Sequence, residues 1–202
     1  MKLPTVGATA LADREVSVRT VSDLSVEVVS DSGEGAQKCG QIFGAVSAKM
    51  GNGIWTVEII PAEVEPPPRS PAGASGIRIR LGDREVTNSG DETDVVGAFN
   101  EQALVGRHRL DALSPDAILL LESMWATHPD PNIRKQWEEA MEELSGCNYT
   151  IIQVPMEEQC LTVVDDPRKG KNMFALGLLC ALFDRDVERA KEQIAHAFRG
   201  KK

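Results

Sequence analysis

The stretch over residues 24–50 constrains the fold more than any other part of the chain. It opens with apolar residues that predict a buried strand over 24–30, and this run breaks at the small-residue turn SDSGEG, residues 30–35. A helical pattern of apolar residues then predicts a helix over 35–50. Strand, glycine turn and helix in this order are typical of doubly wound α/β folds, where the helix N-terminus offers free N–H groups to an anion. The turn is therefore a candidate anion-binding site.

Small residues recur every four positions along this predicted helix, at Gly40, Gly44 and Ala48. Residues four apart lie on one face of a helix, so these three form a smooth stripe. Such a stripe lets a helix lie close to a sheet or to another helix. We interpret it as a packing feature rather than as a ligand site.

The remaining elements predict one α/β domain over residues 23–200, preceded by an extended N-terminal arm over 1–22. The strand predicted over 76–81 turns at a Gly-Asp pair into a short partner over 84–87, which makes an antiparallel hairpin. Further strands are predicted over 54–60, 94–99, 117–121 and 149–154, and helices over 101–112 (capped by Asn100), 131–145, 172–183 and 186–198, with a helical turn over 157–164. This order indicates a three-layer, Rossmann-like α/β fold with a largely parallel sheet and one antiparallel hairpin.

Composition limits the size, the partners and the location of the protein. With 202 residues, of which 42% are hydrophobic, the chain is large enough for one domain whose core needs no disulfide or metal. A net charge of −9 argues against nucleic acid and against anionic membrane surfaces as partners. No stretch reaches the ~18 consecutive apolar residues of a membrane span. We therefore expect a cytoplasmic protein with no membrane span and no nucleic-acid partner.

The reactive residue types do not form a catalytic or metal-binding set. The four cysteines contain no CxxC pair and are expected to be reduced and mostly buried, while the three histidines are far apart. Neither a zinc site nor an iron–sulfur cluster is therefore expected from this chain alone. No GxSxG motif is present, and no histidine is placed to activate Ser32. Carboxylate pairs among Glu34, Glu63 and Glu65 are those that chance provides in an acidic protein, so we expect no catalytic residue.

A proline-rich segment over 61–76 follows the second predicted strand. Its five prolines within residues 61–71 exclude a helix or a central strand. A flexible linker here would divide an α/β domain after two strands, so a structured surface loop is the better interpretation. Long ordered loops in compact domains are usually functional. This loop and the turn over 30–35 both follow the carboxyl ends of the first two strands, where doubly wound sheets bind ligands, and we expect one site there.

Four blocks of sequence resemble a known family in the same order along the chain. DSGEGAQKCGQIF, within residues 30–43, is similar to a GDSGxGxxxxGxxF turn, and the run over 60–79 is similar to FPAEIRxPxGTxxGVSxFQ. DVVGAFNEQAL at 94–104 matches a strand that ends in an N-x-x-AL turn, and KNMFALGLL at 171–179 matches a C-terminal helix. Together they resemble the gamma domain of 2-oxoacid:ferredoxin oxidoreductases, above all the N-terminal domain of 2-oxoglutarate:ferredoxin oxidoreductase alpha subunits.

The resemblance implies a subunit that is inactive alone. Enzymes of this family decarboxylate a 2-oxoacid on thiamine diphosphate with Mg²⁺. The match of the loop favours 2-oxoglutarate over pyruvate as the 2-oxoacid. These enzymes transfer the acyl group to coenzyme A and pass electrons through an iron–sulfur cluster to ferredoxin. The implied partners are the thiamine-binding alpha and beta subunits, and no cofactor is expected on this chain alone. Alpha subunits continue beyond the point that corresponds to Lys202. The chain is therefore expected to be a separate gamma subunit or a part of a longer protein.

The resemblance also implies site residues. The cofactor-binding candidates form the turn, and the substrate- or coenzyme-A-side candidates belong to the proline-rich loop: Ser32, Gly33, Glu34 and Gly35 in the first group, and Pro61, Ala62, Glu63, Arg69 and Gly73 in the second. Arg69 is the only cation of the loop, so it either meets a phosphate or carboxylate or is solvated. Glu63 either pairs with an arginine of a partner subunit or caps a local turn.

The chain departs from the family pattern at two places. Ser30 stands where the family turn usually begins with glycine, and three consecutive prolines over 66–68 stiffen the loop.

A stand-alone Rossmann-type nucleotide- or flavin-binding protein is the alternative function. Its expected ribose-binding acid is not clear, since Glu58 lies inside a predicted strand and Glu63 follows a proline. A third possibility is an interaction module without a ligand.

Overall fold

The computed structural model describes residues 18–63 and 65–199, which form a six-stranded sheet with helices on both faces. Residues 1–17 of the predicted arm lie outside the described residues. The elements in chain order are β1 (Asp23–Asp31), α1 (Ala36–Lys49), β2 (Gly53–Ile59), β3 (Ala74–Gly82), β4 (Thr93–Ala98), α2 (Glu101–Arg109), β5 (Leu113–Glu122), α3 (Pro131–Ser145), β6 (Thr150–Val154), α4 (Met156–Leu161), α5 (Lys171–Leu182) and α6 (Val187–Ala197). The predicted helix over 131–145 is confirmed at both ends, and most other elements lie within a few residues of their predicted bounds.

The strands follow the order β2-β3-β1-β4-β5-β6 across the sheet. β1, β4, β5 and β6 are parallel neighbours, as expected for strands joined by crossover helices. β3 runs antiparallel between β1 and β2, with Val28 opposite Ile77 on one side and Glu58 opposite Ile77 on the other. The predicted fold class, a three-layer and largely parallel α/β sheet, is confirmed.

The predicted pairing of residues 76–81 with residues 84–87 in a hairpin is wrong, because residues 84–87 form no strand. The observed hairpin consists of β2 and β3, which are antiparallel and joined by the proline-rich loop. The physical reason is that β3 is paired along both edges, with β1 and with β2, over nearly its whole length. No free edge therefore remains on β3 for residues 84–87.

Two apolar cores lie on opposite faces of the sheet, because side chains alternate along each strand. The first core contains Val28, Phe43 and Leu176 and lies under α1, α5 and α6. The second contains Val29 and Leu121 and lies under α2 and α3. β1 contributes to both cores and is buried along most of its length, as expected for a strand covered on both faces.

The small-residue stripe of α1 packs against β3, as predicted. A Cβ atom at Gly40 would lie 2.1 Å from Cγ2 of Ile77, and a Cβ atom at Gly44 would lie 3.6 Å from Cγ2 of Ile79. Ala48, the third residue of the stripe, is exposed. Two glycines therefore set the distance between this helix and the sheet.

The cysteines are free thiols, and three of the four are buried. Burial raises the pKa of the Cys39 thiol well above its ordinary value, so this group stays protonated. Among the described residues, no helix has the length and apolar character needed to cross a membrane.

Candidate functional site

The four sequence blocks that carry the family resemblance meet at the carboxyl ends of β1, β4 and β5. The turn over 32–35 follows β1, and Asn100 and Glu101 follow β4 at the start of α2. The proline loop, defined as residues 60–73, lies against them, and the first residues of α5 contact the turn. Residues separated by more than 130 positions are therefore brought together, which is the pattern expected of a site at the edge of a doubly wound sheet.

The turn is shaped by two glycines and closed by a carboxylate. Gly33 and Gly35 have φ angles of +90° and +88°, a left-handed region that favours glycine. A Cβ atom at Gly35 would lie 2.4 Å from Nδ2 of Asn172, so the start of α5 packs on the turn itself. Glu34 folds back and accepts a hydrogen bond from the backbone N–H of Asp31 at 3.0 Å. Ser32 and Gly33 form the exposed tip of the turn.

Asp31, the last residue of β1, joins three parts of the site. Its Oδ2 accepts the backbone N–H of Arg69 at 2.8 Å, and its Oδ1 accepts Nδ2 of Asn100 at 3.1 Å. Asn100 in turn accepts the N–H of Ala103 at 2.8 Å, which confirms it as the predicted cap of α2. One carboxylate therefore fixes the proline loop relative to both β1 and α2.

The side chain of Arg69 points into the protein and is 9% exposed. Its guanidinium forms a two-pronged ion pair with the carboxylate of Glu101, which is fully buried. The same guanidinium lies over the ring of Trp125, 4.0 Å from the centroid. Trp125 is fixed in turn, because its Nε1 donates to the carbonyl of Phe99 at 2.7 Å.

A second polar group lies on the other side of the turn. Nζ of Lys171, at the start of α5, donates to Glu34 at 3.1 Å and lies 3.7 Å from Glu157. The fully buried Glu122, at the end of β5, accepts the backbone N–H groups of Met124 and Glu157 at 3.0 and 2.8 Å. Burial raises the pKa of Glu122, and this effect outweighs the two N–H bonds and the charge of Lys171, which act in the opposite direction.

Some of the predicted site residues make contacts inside the protein, and others are exposed on its surface. Arg69 and Glu34 are engaged in the internal contacts just described, while Gly73 is buried and packs near Pro66. Ala62 donates its N–H to the carbonyl of Ala72 at 2.9 Å, which closes the base of the loop, and Glu63 is exposed.

The sequence prediction missed several of the interacting residues: Asp31, Glu101, Glu122, Trp125 and Lys171. Asp31, Glu101 and Lys171 lie inside the motif blocks, and this was the available signal. Trp125 and Glu122 lie in no block, so no comparable signal pointed to them.

The arrangement suits positioning and binding rather than covalent chemistry. Arg69 and Lys171 each pair with a carboxylate, while the carboxylates of Asp31 and Glu122 accept N–H groups. Among these contacts, no histidine, serine or cysteine is hydrogen-bonded as a nucleophile and base. In the described part of the chain, no group of three or more histidine, cysteine or acidic side chains is arranged to hold a metal ion. A cleft of about 260 Å³, lined by Asp23, Arg80 and Asn88 among others, lies at the opposite end of the sheet.

Comparison with known proteins identifies relatives by sequence. The model of the family described as pyruvate ferredoxin/flavodoxin oxidoreductase matches residues 25–202. The chain is 27% identical over 185 residues to the 2-oxoglutarate oxidoreductase subunit KorA of Mycobacterium tuberculosis, and the match covers 88% of this chain and 28% of that protein. The chain therefore spans less than a third of the length of this curated relative.

Solved structures share the fold. A 2-oxoglutarate:ferredoxin oxidoreductase from Magnetococcus marinus, solved with 2-oxoglutarate, coenzyme A and succinyl-CoA bound, matches 91% of this chain and 28% of its own, with a TM-score of 0.68 and 23% identity. The gamma subunit of a keto/oxoacid ferredoxin oxidoreductase from Geobacter sulfurreducens matches 88% of this chain and 89% of its own, with a TM-score of 0.62 and 17% identity. The pyruvate oxidoreductase subunit PORC of Thermotoga maritima matches 88% and 86%, with a TM-score of 0.58 and 18% identity.

Proposed function

The chain belongs to the pyruvate ferredoxin/flavodoxin oxidoreductase family, as its motifs predicted, and from this premise we propose that it is the gamma component of a 2-oxoacid oxidoreductase. In this proposal it assembles with thiamine-binding alpha and beta subunits in the cytoplasm and has no activity alone. The complex decarboxylates a 2-oxoacid on thiamine diphosphate with Mg²⁺, transfers the acyl group to coenzyme A and passes electrons through an iron–sulfur cluster to ferredoxin. The substrate we favour is 2-oxoglutarate, because the run over 60–79 resembles that branch of the family and the curated sequence relative carries that name.

One observation carries the proposal: the four family blocks, which are far apart in sequence, converge at one edge of the sheet. A stable fold alone does not require residues of the turn, the proline loop, α2 and α5 to share one polar network. An edge that meets partner subunits and coenzyme A would require it, since binding sites need fixed geometry.

The exposed parts of this edge are the surface that we assign to partners. They are the tip of the turn, at Ser32 and Gly33, and the loop residues Ala62 and Glu63, with the half-buried Pro61 beside them. The interior positions Gly35 and Gly73 allow the close packing beneath this surface.

Reconstitution tests the proposal. The purified chain should show no reduction of a viologen dye with 2-oxoglutarate. Addition of the thiamine-binding subunits from the same source should give dye reduction that depends on both 2-oxoglutarate and coenzyme A. Pyruvate in place of 2-oxoglutarate tests the substrate. The proposal fails if the thiamine-binding subunits show the full coenzyme-A-dependent rate without this chain, or if the chain purifies from native extracts with no thiamine enzyme.

The nucleotide-binding alternative can be separated from this proposal by calorimetry on the chain alone. A dinucleotide phosphate at the start of α1 would approach the carboxylates of Asp31 and Glu34, which repel it. We therefore expect no binding of NAD or FMN. Tight binding of either would favour the stand-alone Rossmann-type protein.

A further inference from the structure

We propose that Arg69 is an internal anchor of the proline loop rather than a ligand for coenzyme A, and that Asp31, Glu101 and Trp125 are the residues that hold it. These four residues are the loop anchor. The further statement that the anchored loop sets the affinity of the complex for coenzyme A rests on the function proposed above.

The first attachment is through the backbone of the loop. The N–H of Arg69 donates to Oδ2 of Asp31 at 2.8 Å, and Asp31 is the last residue of the buried strand β1. Arg69 has a φ of +53°, which is unfavourable for a residue with a side chain. Such a conformation persists only where the surroundings impose it. The carboxylate of Asp31 and the side-chain contacts of Arg69 are the surroundings that do so here.

The second attachment is through the guanidinium. It lies between the carboxylate of Glu101 and the ring of Trp125, and two of its nitrogens bond to the two oxygens of that carboxylate. Glu101 is fully buried at the first turn of α2, where the positive end of the helix dipole stabilises its charge. A two-pronged pair with a buried carboxylate has a fixed geometry, which an exposed surface pair lacks.

These attachments leave no free cation on the loop. Arg69 is the only lysine or arginine among residues 60–73, and its side chain is 9% exposed. If Arg69 turned outward to bind a phosphate, the carboxylate of Glu101 would remain buried without its cation, which is strongly unfavourable. Three consecutive prolines over 66–68 limit the loop further, so the anchor and the prolines together give a preformed loop.

Limited trypsin digestion of the chain alone tests the anchor without any assumption about function. Trypsin cleaves after Arg69 only when this side chain leaves its internal partners. In Glu101→Gln the guanidinium loses its charged partner, so we expect cleavage between Arg69 and Ser70 to be about tenfold faster than in the wild type. Mass spectrometry identifies this cleavage by the two fragments that it produces.

The control is Glu143→Gln, which removes the same kind of partner from Arg109 at the other end of α2. It should leave cleavage after Arg69 unchanged. Trp125→Leu supplies a second variant, which keeps Glu101 and removes the aromatic contact with Arg69 together with the Nε1 hydrogen bond to Phe99. It should also accelerate cleavage. Circular dichroism establishes that each variant is folded. Wild-type cleavage rates in both Glu101→Gln and Trp125→Leu would overturn the anchor.

In the reconstituted complex, the KM for coenzyme A of the Glu101→Gln variant distinguishes the two roles of Arg69, because each role predicts a change in the opposite direction. If Arg69 anchors the loop, Glu101→Gln loosens the loop and raises the KM for coenzyme A several-fold. If Arg69 binds coenzyme A instead, removal of its competing carboxylate frees the guanidinium and lowers this KM, which would overturn the proposal. An unchanged KM would refute the link between the loop and coenzyme A. A wild-type complex without coenzyme-A dependence would refute the proposed function, while the digestion result would still decide on the anchor.

Discussion

Glu122 is an ionisable residue of the site whose carboxylate is buried from solvent. The carboxylate has no exposed surface, and its two oxygens accept the N–H groups that begin the segments on either side of β6, at Met124 and Glu157. This residue therefore links the end of β5 to the start of α4. Burial raises the pKa of Glu122 above the ordinary value of 4.5 for glutamate. Burial of the charged carboxylate has a desolvation cost, which the two hydrogen bonds offset only in part.

The pH dependence of folding should reveal this carboxylate. Because its pKa is higher in the folded state, Glu122 adds stability below pH 4.5 that is lost as the pH rises through the folded-state value. Glu122→Gln does not titrate, and its amide presents an NH₂ to one of the two N–H donors, so it should cost about 1–3 kcal/mol. The penalty should be largest at acid pH and should shrink toward neutral pH. Urea denaturation between about pH 4 and about pH 8 measures it, and a penalty that grows with pH would contradict this account.

Single residues were predictable from sequence where their role is local. Asn100 caps the helix that follows it, and the contact spans three positions, so the residue type and its place were sufficient. The contacts of Arg69 with Glu101 and Asp31 span 32 and 38 positions, and that of Lys171 with Glu34 spans 137. No local pattern encodes such pairs. The sequence therefore identified Arg69 as a candidate without revealing its partners.

Helix α1 packs closely against strand β3 near the site. The helix can approach because Gly40 presents no side chain to Ile77 of the strand. The turn at the start of this helix is thereby held against the sheet as well as against α5. The position of the turn thus depends on packing in the core beneath it.

Two glycine-to-alanine substitutions should therefore have opposite effects. In Gly40→Ala the new methyl group would lie 2.1 Å from Cγ2 of Ile77, so overpacking should cost about 1–3 kcal/mol despite the better helix propensity of alanine. In Gly177→Ala, on α5, the new methyl group meets no atom within 4 Å. This variant should gain roughly 0.5–1 kcal/mol from propensity alone. Thermal or urea denaturation of both proteins compares the signs, and stabilisation by Gly40→Ala would contradict the close approach.

Elements with a clear period were predictable, and their pairing was less so. The helix over 131–145 has a Pro at its start and an apolar face, and both of its ends were predicted correctly. The hairpin was predicted to close at Gly82 because a Gly-Asp pair followed an alternating strand. In the structure β3 pairs instead with two strands that precede it in the chain, β1 and β2. Pairing over such distances is set by the tertiary fold, which alternation along one strand does not describe.

The whole molecule has two unlike ends. The carboxyl end of the parallel strands carries the turn, the proline loop and the paired charges of the site. The other end carries the last residues of α3 and the cleft near Arg80. The proposed function assigns partner subunits to the first end only, and this assignment can be tested with one kind of substitution.

Ser32→Arg places a large cation on the exposed tip of the turn and should weaken assembly with the thiamine-binding subunits about tenfold or more. Ser145→Arg makes the same change at an exposed position at the end of α3 and should leave assembly unaffected. Binding of each purified variant to immobilised partner subunits gives the comparison, with melting temperatures as the check on folding. Equal weakening by both variants would contradict the assignment of partners to the carboxyl end.

The antiparallel strand β3 also determines the order in which the molecule can be assembled during synthesis. β1 and β2 form no ladder with each other, and each pairs with β3. A growing chain that has not yet released residues 74–82 therefore holds two strands with unmatched edges and a helix, α1, with no complete sheet beneath it. The proline loop precedes β3 directly, so a loop that is already restricted in shape would deliver the strand to the gap between them. β1 and β2 can therefore join one sheet on either side of β3 only after residues 74–82 have been synthesised.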